Sequence, residues 1–330
     1  MPRVALVTGA AGQFGSRLAR SLAADPRVDR VIAVDLRTPE ADLGAADFIR
    51  VDIRSPILAR VISDAAVDTV VHAGVLATSA LAGNRAAMKE INVIGSMQLL
   101  AACQASDTVR RLVVKSSGSV YGCGPADPAM FTETDQPENP PIGGWARDCA
   151  EVEGYVAAFA RRRPDVDIVT LRFANAIGPT IDTAMTRYFR LPILPIVLGR
   201  DPRLQFVHES DVLTALHTAA TGSFTGTFNV AGPGVVTLLQ AAGLAHRPVL
   251  TVPEFLLGPA YGLLRRAGVD FSVQDIDFLA YGRVLDTDEA KRSWGFEPQY
   301  STREAFESFV CGANRVADHE VDDEAGIRHG

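Results

Sequence analysis

Residues 4–22 read "VALVTGAAGQFGSRLARSL": a short apolar run, a turn with glycines at 9, 12 and 15, and a helical repeat whose apolar stripe includes Phe14, Leu18 and Leu22. Each glycine answers a separate physical need. Gly9 permits a tight turn, Gly12 lets the backbone come close to a pyrophosphate, and Gly15 lets the helix pack closely on the strand. The uncapped N–H groups and positive dipole end of the helix attract phosphate. A glycine trio alone also occurs in plain turns. Here strand, turn and helix come in the right order, and a second strand, "RVIAVD", ends in Asp35 about twenty residues on, so the stretch predicts a dinucleotide-binding α/β fold.

Asp35 would accept hydrogen bonds from the adenosine ribose and repel an added 2'-phosphate, which favours NAD over NADP. Arg37, two positions later, acts in the opposite sense. Asp52, with Ile53 after it in "VDIRS", closes the third strand; it either meets the adenine amino group or serves as a turn residue, and both readings stand.

Six short runs rich in β-branched residues alternate with helical segments: 3–9, 30–35, 47–52, 68–74, 111–117 and 167–173. Strands apolar on both faces belong to a parallel sheet covered above and below. The expected architecture is α/β, a Rossmann-type doubly wound parallel sheet with right-handed crossovers and a smaller C-terminal substrate-binding lobe. Residues 1–178 form the NAD-binding domain and 179–312 the smaller lobe, interleaved with the first. To that lobe the pattern assigns "LQFVHESD" (204–211), "GTFNVAG" (226–232) and "STREAFESF" (301–309). The polar stretch 313–330 reads as a flexible tail.

Composition narrows the ligand. Of 330 residues, 47% are hydrophobic, enough for a domain and lobe of this size. A net charge of −7 leaves no basic field for nucleic acid or anionic lipid, so a small molecule is the expected partner. Cys103, Cys123, Cys149 and Cys311 form no Cys-x-x-Cys pair and no cluster with histidine, so neither a metal site nor a disulfide framework is expected. The apolar stretches 191–199 and 252–264 are broken by prolines and fall short of the roughly 20 residues that span a bilayer. The first residues lack the regions of a signal peptide. Together these predict a cytoplasmic protein without a membrane partner.

The ordered series "VTGAAGQFG" (7–15), "VDI" (51–53), "VVHAG" (70–74), "INVIGSMQLL" (91–100), "VVKSSGSVYG" (113–122), "LRFANAIGP" (171–179), "QFVHESD" (205–211) and "FNVAG" (228–232) resembles the extended short-chain dehydrogenase/reductases of the NAD-dependent epimerase/dehydratase family, in particular a bacterial UDP-glucose 4-epimerase-like subgroup. The resemblance covers nearly the whole chain. It implies a nucleotide sugar or similarly polar substrate, and a homodimer through the helices that hold 91–100 and Trp145. It adds Gln13, Phe14, Ile53, His72, Ala73 and Gly74 to the cofactor residues, assigns the catalytic hydroxyl to Ser117 and gives Asn92 the bracing role. Gly118 and Ser119 stand where 4,6-dehydratases carry an acidic pair, so that reaction is not implied.

The resemblance breaks in "GGWARDCAEVE" (143–153). With Glu153 as the fixed point, the family's tyrosine position holds Trp145 and its lysine position Cys149. Loss of the phenol removes on the order of 10²- to 10⁴-fold of acid–base assistance. Trp145, Cys149, Val152, Val156 and Phe159 fall on one helix face, so one reading extends a buried wall. In the other, Trp145 stacks on or steers a substrate, and Cys149 acts as base or nucleophile with its pKa lowered early in a helix. On the substrate side the resemblance points to Ser117, Ser119, Tyr121 and Asn175. Leu204 stands at the usual phosphate arginine, with Arg203 beside it on the opposite face of a strand. Three functions remain open: an epimerase/dehydratase with a non-standard site, an inactive NAD-binding sensor or scaffold, and an enzyme of redox-neutral proton transfer or cyclisation.

Overall fold

The computed structural model describes residues 3–77, 82–135, 141, 144–256 and 273–312. The tail expected at 313–330 and much of the apolar stretch 252–264 lie outside them. No helix among the described residues is long and apolar enough to cross a membrane.

The strands are β1 (Val4–Thr8), β2 (Arg30–Asp35), β3 (Asp47–Arg50), β4 (Thr69–His72), β5 (Arg111–Ser117), β6 (Asp167–Phe173), β7 (Asn175–Ile177), β8 (Leu194–Val197), β9 (Arg203–Leu204), β10 (Phe206–His208) and β11 (Gly226–Val230), followed by β12 (Val236–Thr237) and β13 (Val249–Val252). Seven of them form one sheet in the order β11-β6-β5-β4-β1-β2-β3, and every pairing in it is parallel. The six runs legible in the sequence are all in this sheet. The seventh is a difference: Gly226–Val230, which the sequence pattern assigns to the smaller lobe, pairs with β6 as the edge strand. A short strand's neighbour depends on which sheet edge lies open when the chain returns, and chain order does not report that.

Two helical layers cover the sheet. On one face α1 (Gln13–Ala23) and α7 (Glu209–Thr221) bury Leu18, Leu22, Val212, Ala215 and Leu216 against Val7, Val71, Val113 and Leu171. On the other, α2 (Ile57–Asp64), α4 (Gly95–Ala105) and α5 (Gly144–Arg162) bury Leu58, Leu99, Val152, Val156 and Phe159 against Leu6, Val70 and Val114. Period-two alternation explains the split, since neighbouring strand residues feed opposite cores. A third apolar cluster gathers Leu194 and Ile196 of β8, Leu204 of β9, Val236 of β12, and Phe306 and Phe309 of the helix at 302–312 around Phe189 and Phe206. α5 stops at Arg162 ahead of Pro164. Arg163 then donates to the carbonyls of Cys103, Gln104, Ser106 and Val109, which satisfies acceptors at and just past the C-terminal end of α4.

Candidate functional site

The glycine turn is built as its spacing suggests. Gly9 has φ +75°, and a Cβ there would lie 2.4 Å from the Gly74 Cα, so β1 and β4 meet backbone to backbone just past their ends. A Cβ on Gly15 would lie 2.0 Å from the Gly9 carbonyl oxygen, and one on Gly12 would lie 3.1 Å from the same atom. Helix α1 starts after Gly12 with no side-chain cap, leaving N–H groups free for an anion. Asp35 accepts from the Ala11 N–H (3.0 Å) and the Arg37 N–H (3.0 Å), which holds its carboxylate beside the turn. Gln13 is exposed and accepts from the Asp182 N–H, linking the turn to the smaller lobe.

Asp52 is engaged by Arg54, through both the guanidinium and the backbone N–H, and the side-chain hydrogen bond from Arg54 holds its carboxyl below the usual range. Ile53 packs against Gly95 at the head of α4. Ala73 and Gly74 flank Gly9. His72 is buried and spends both ring nitrogens inside the fold, Nδ1 with the Thr8 hydroxyl (2.8 Å) and Nε2 with the Ser96 hydroxyl (2.7 Å). It braces β1 against α4.

Burial, with the charge of Lys115 adding to it, pulls the His72 pKa from 6.5 down to about 4. A histidine lowered in the folded state takes up its proton first in the unfolded chain. Its stability contribution is therefore intact above about pH 6.5 and declines as the pH falls toward 4. The drop corresponds to at most about 3 kcal/mol. Denaturant midpoints followed from about pH 7 to about pH 4.5 should fall, and His72→Gln should flatten that part of the slope; an unaltered slope would contradict the assignment.

Ser117 is buried at the end of β5 and accepts from the Ser119 N–H (3.1 Å), starting the 3₁₀ turn Gly118–Tyr121. Asn92 lies in a π-helical turn, Glu90–Ile94. It bonds both backbone groups of Leu76 and donates to Asp148 on α5, so it ties the loop after β4 to α5. Asp148 is completely buried and is also gripped by both terminal nitrogens of Arg85. The sequence reading did not single out this triad. Its signal is a carboxylate beside an apolar stripe, a feature shared with many solvated helix residues.

Trp145 and Cys149 both face inward. The Trp145 Nε1 and the Ser119 hydroxyl are buried without a hydrogen-bond partner among the described residues. Together with Asn175 and Arg283 they line a cavity of about 10 Å³, with room for a single water at most. Cys149 is buried, and burial pushes its thiol well above the ordinary range. This runs against the lowering expected from its place early in a helix: desolvation of a thiolate outweighs the attraction of the Lys115 charge. Tyr121 is also enclosed. Its hydroxyl donates to Asn229 (2.9 Å) and accepts from Arg172 (2.8 Å), and its ring stacks on Phe131, so it does not reach Ser117's surroundings as a free phenol.

Arg203 and Leu204 point apart, as alternation requires: Leu204 is fully buried, while exposed Arg203 donates to the Ala129 carbonyl. Arg203 lines a cleft of about 360 Å³ with Arg200, Asp201, Tyr281 and Arg283. Arg283 touches both cavities, with its guanidinium on the Gly122 carbonyl (3.0 Å). Thus Ser119, Trp145 and Asn175 come together, and Arg203 stands in the adjoining cleft. Arg283 was missed by the sequence reading, because nothing in "YGRVLD" distinguishes it from a surface arginine.

Comparison with known proteins agrees with this construction. A family model described as the NAD dependent epimerase/dehydratase family matches residues 5–231. The uncharacterized protein Rv0501 of Mycobacterium tuberculosis is 44% identical over 317 residues, covering 94% of this chain and 84% of its own length. Among solved structures, MoeE5 in complex with UDP-glucuronic acid and NAD is 25% identical, with a TM-score of 0.72 over 95% of this chain and 99% of its own. UDP-glucose 4-epimerase of Thermotoga maritima, solved with UDP-glucose, shares the fold with a TM-score of 0.72 at 23% identity, over 95% of this chain and 99% of its own. The motif order, the parallel sheet and these matches converge: the chain belongs to the NAD-dependent epimerase/dehydratase family.

Proposed function

We propose that the chain binds NAD across the strand ends and holds a nucleotide sugar or similarly polar metabolite beside it, at a site that binds and polarises but lacks the tyrosine–lysine proton relay. The observation that carries this reading is the pair of side chains at the relay positions, a buried Cys149 and a half-buried Trp145 whose Nε1 is enclosed. An indole does not exchange a proton near neutral pH, and the Cys149 thiol is pushed upward by burial. The glycine cradle, too tight for any Cβ at Gly9 or Gly15, fits a dinucleotide pyrophosphate, and Asp35 favours a free ribose over a 2'-phosphate. When bound, NAD supplies a hydride acceptor. The chain's own part is to hold it through Gly9, Gly12, Gly15 and Asp35, to polarise a substrate oxygen with Ser117, and to receive anionic groups near Arg200 and Arg203. A homodimer through α4 and α5 belongs to the same reading, supported by Ile94 and Met97, which leave apolar side chains exposed.

The test is absorbance at 340 nm with NAD-loaded protein and UDP-sugars, with epimers assayed in parallel. Slow reduction is expected, at least about 10²-fold below an enzyme with an intact relay. Turnover near the enzyme median of about 10 s⁻¹ would overturn the reading. Ser117→Ala should cut the residual rate by about tenfold or more; an undiminished rate would remove that hydroxyl from the chemistry. Complete absence of turnover with intact NAD binding would favour a sensor or scaffold, a second reading that rests on the same two side chains.

A further inference from the structure

Lys115 sits in the C-terminal half of β5, in a strand otherwise buried from Arg111 to Ser117. Alternation puts its side chain on the face of Val113 and Ser117, opposite Ser116, whose hydroxyl turns to Glu153 on α5. Its ammonium lies 5.4 Å from the centroid of the Phe14 ring, in the first turn of α1. The charge thus reaches from a central strand to the glycine turn. It also bears on the buried Cys149 and His72, and burial lowers its own pKa.

Two other cations of the sheet are satisfied. Arg111 donates to the carbonyls of Ala219 and Phe224, and Arg172 is paired with Glu153. For the Lys115 ammonium, among the described residues, neither a carboxylate nor a hydrogen-bond acceptor is found; what it meets is the face of Phe14. An aromatic face attracts the charge but accepts none of the ammonium's three hydrogen bonds in the way an oxygen does. Oxygen acceptors from a bound molecule would complete it. If the adenosine half of a dinucleotide lies against Asp35 at the end of β2, the strand order β5-β4-β1-β2 carries its other half toward β5.

We infer that the Lys115 ammonium is a coenzyme-binding group that donates to oxygen atoms on the nicotinamide half of NAD, supplying from β5 a cation that neither Trp145 nor Cys149 provides. This rests on the NAD-binding reading above. Lysine is suited to the task because its compact ammonium carries three donors on a flexible stem, so it can swing from a ring face to ribose or amide oxygens.

The test is calorimetric titration of the full chain with NAD and, separately, with ADP, which lacks the nicotinamide half. Lys115→Met should weaken NAD binding by about tenfold or more, the scale of a lost hydrogen bond to a charged group, and leave ADP binding within about twofold. The double variant Lys115→Met/Cys149→Lys, which returns an ammonium to the neighbouring position, should recover most of the loss. In the ligand-free protein Lys115→Met should leave the melting temperature nearly unchanged, because the half-buried ammonium has no acceptor among the described residues to lose, whereas the stabilisation gained on adding NAD should shrink. The inference is overturned if wild type binds NAD and Lys115→Met binds it equally well, or if NAD and ADP lose affinity together. Wild type that fails to bind NAD at all overturns the underlying reading, and that result is visible before any variant is made.

Discussion

Gly15→Ala is expected to abolish measurable NAD binding and to destabilise the fold by about 3 kcal/mol, at the upper end of overpacking costs. The new methyl would sit 2.0 Å from the Gly9 carbonyl oxygen and 2.6 Å from its carbon, both backbone atoms. Gly9 has nowhere to retreat. Its N–H is bonded to the Val34 carbonyl, its φ is +75°, and it already abuts the Gly74 backbone. Relief must therefore come from lifting α1 off the sheet, which moves the N–H groups aimed at the pyrophosphate. Gly154→Ala is the matched control. Gly154 is exposed on α5 with nothing within 4 Å of a Cβ, so alanine there should stabilise by about 1 kcal/mol through helix propensity. Urea unfolding and NAD titration of the two variants give the comparison, and a Gly15→Ala protein that binds NAD normally would refute the packing argument.

Arg172→Met should cost about 3–5 kcal/mol, the range for breaking a buried ion pair by removing one partner. Arg172 and Glu153 are mostly buried (side-chain exposure 16% and 15%) and meet through two guanidinium nitrogens, with Ser116 donating to the same carboxylate. Arg172 also donates to the Tyr121 hydroxyl and the Glu133 carbonyl. The cluster therefore fastens α5, which carries Trp145 and Cys149, to β5 and β6 beside Ser117. The double variant Glu153→Met/Arg172→Met should recover a large part of the loss, because two apolar side chains avoid leaving one buried charge alone. A double-mutant cycle in urea measures this, and simple additivity of the two single losses would exclude the coupling.

Much of the sheet and the glycine turn was legible because both rest on local patterns. Apolar runs mark strands buried on two faces, and the turn needs glycine at particular positions whatever surrounds it. β11 was hidden because its five residues look alike whether they join one sheet or another. Trp145 and Cys149 were visible as replacements, but the state of the Cys149 thiol was not, since desolvation depends on residues brought in from elsewhere. Arg203 and Leu204 were correctly seen to face apart because alternation is local. Lys115 left a trace in the sequence as a cation within "RLVVKSS", and its meaning emerged only when Phe14 was found beside it. Asp148 and Arg283 gave no sign, because a buried charge and a solvated one are written with the same letter.

The return of the chain to the edge of β6 bears on how the protein can be made. Arg3 at the start of the chain donates to the carbonyls of Ala220 and Thr221, and Arg111 to those of Ala219 and Phe224, in the segment leading into β11. On a ribosome, the first two hundred or so residues would emerge with β6's outer edge unpaired and two guanidinium groups lacking their acceptors. The nascent sheet must wait for its last strand, and a translation pause or premature stop before residue 226 would leave a product with a sticky edge and a strong tendency to aggregate.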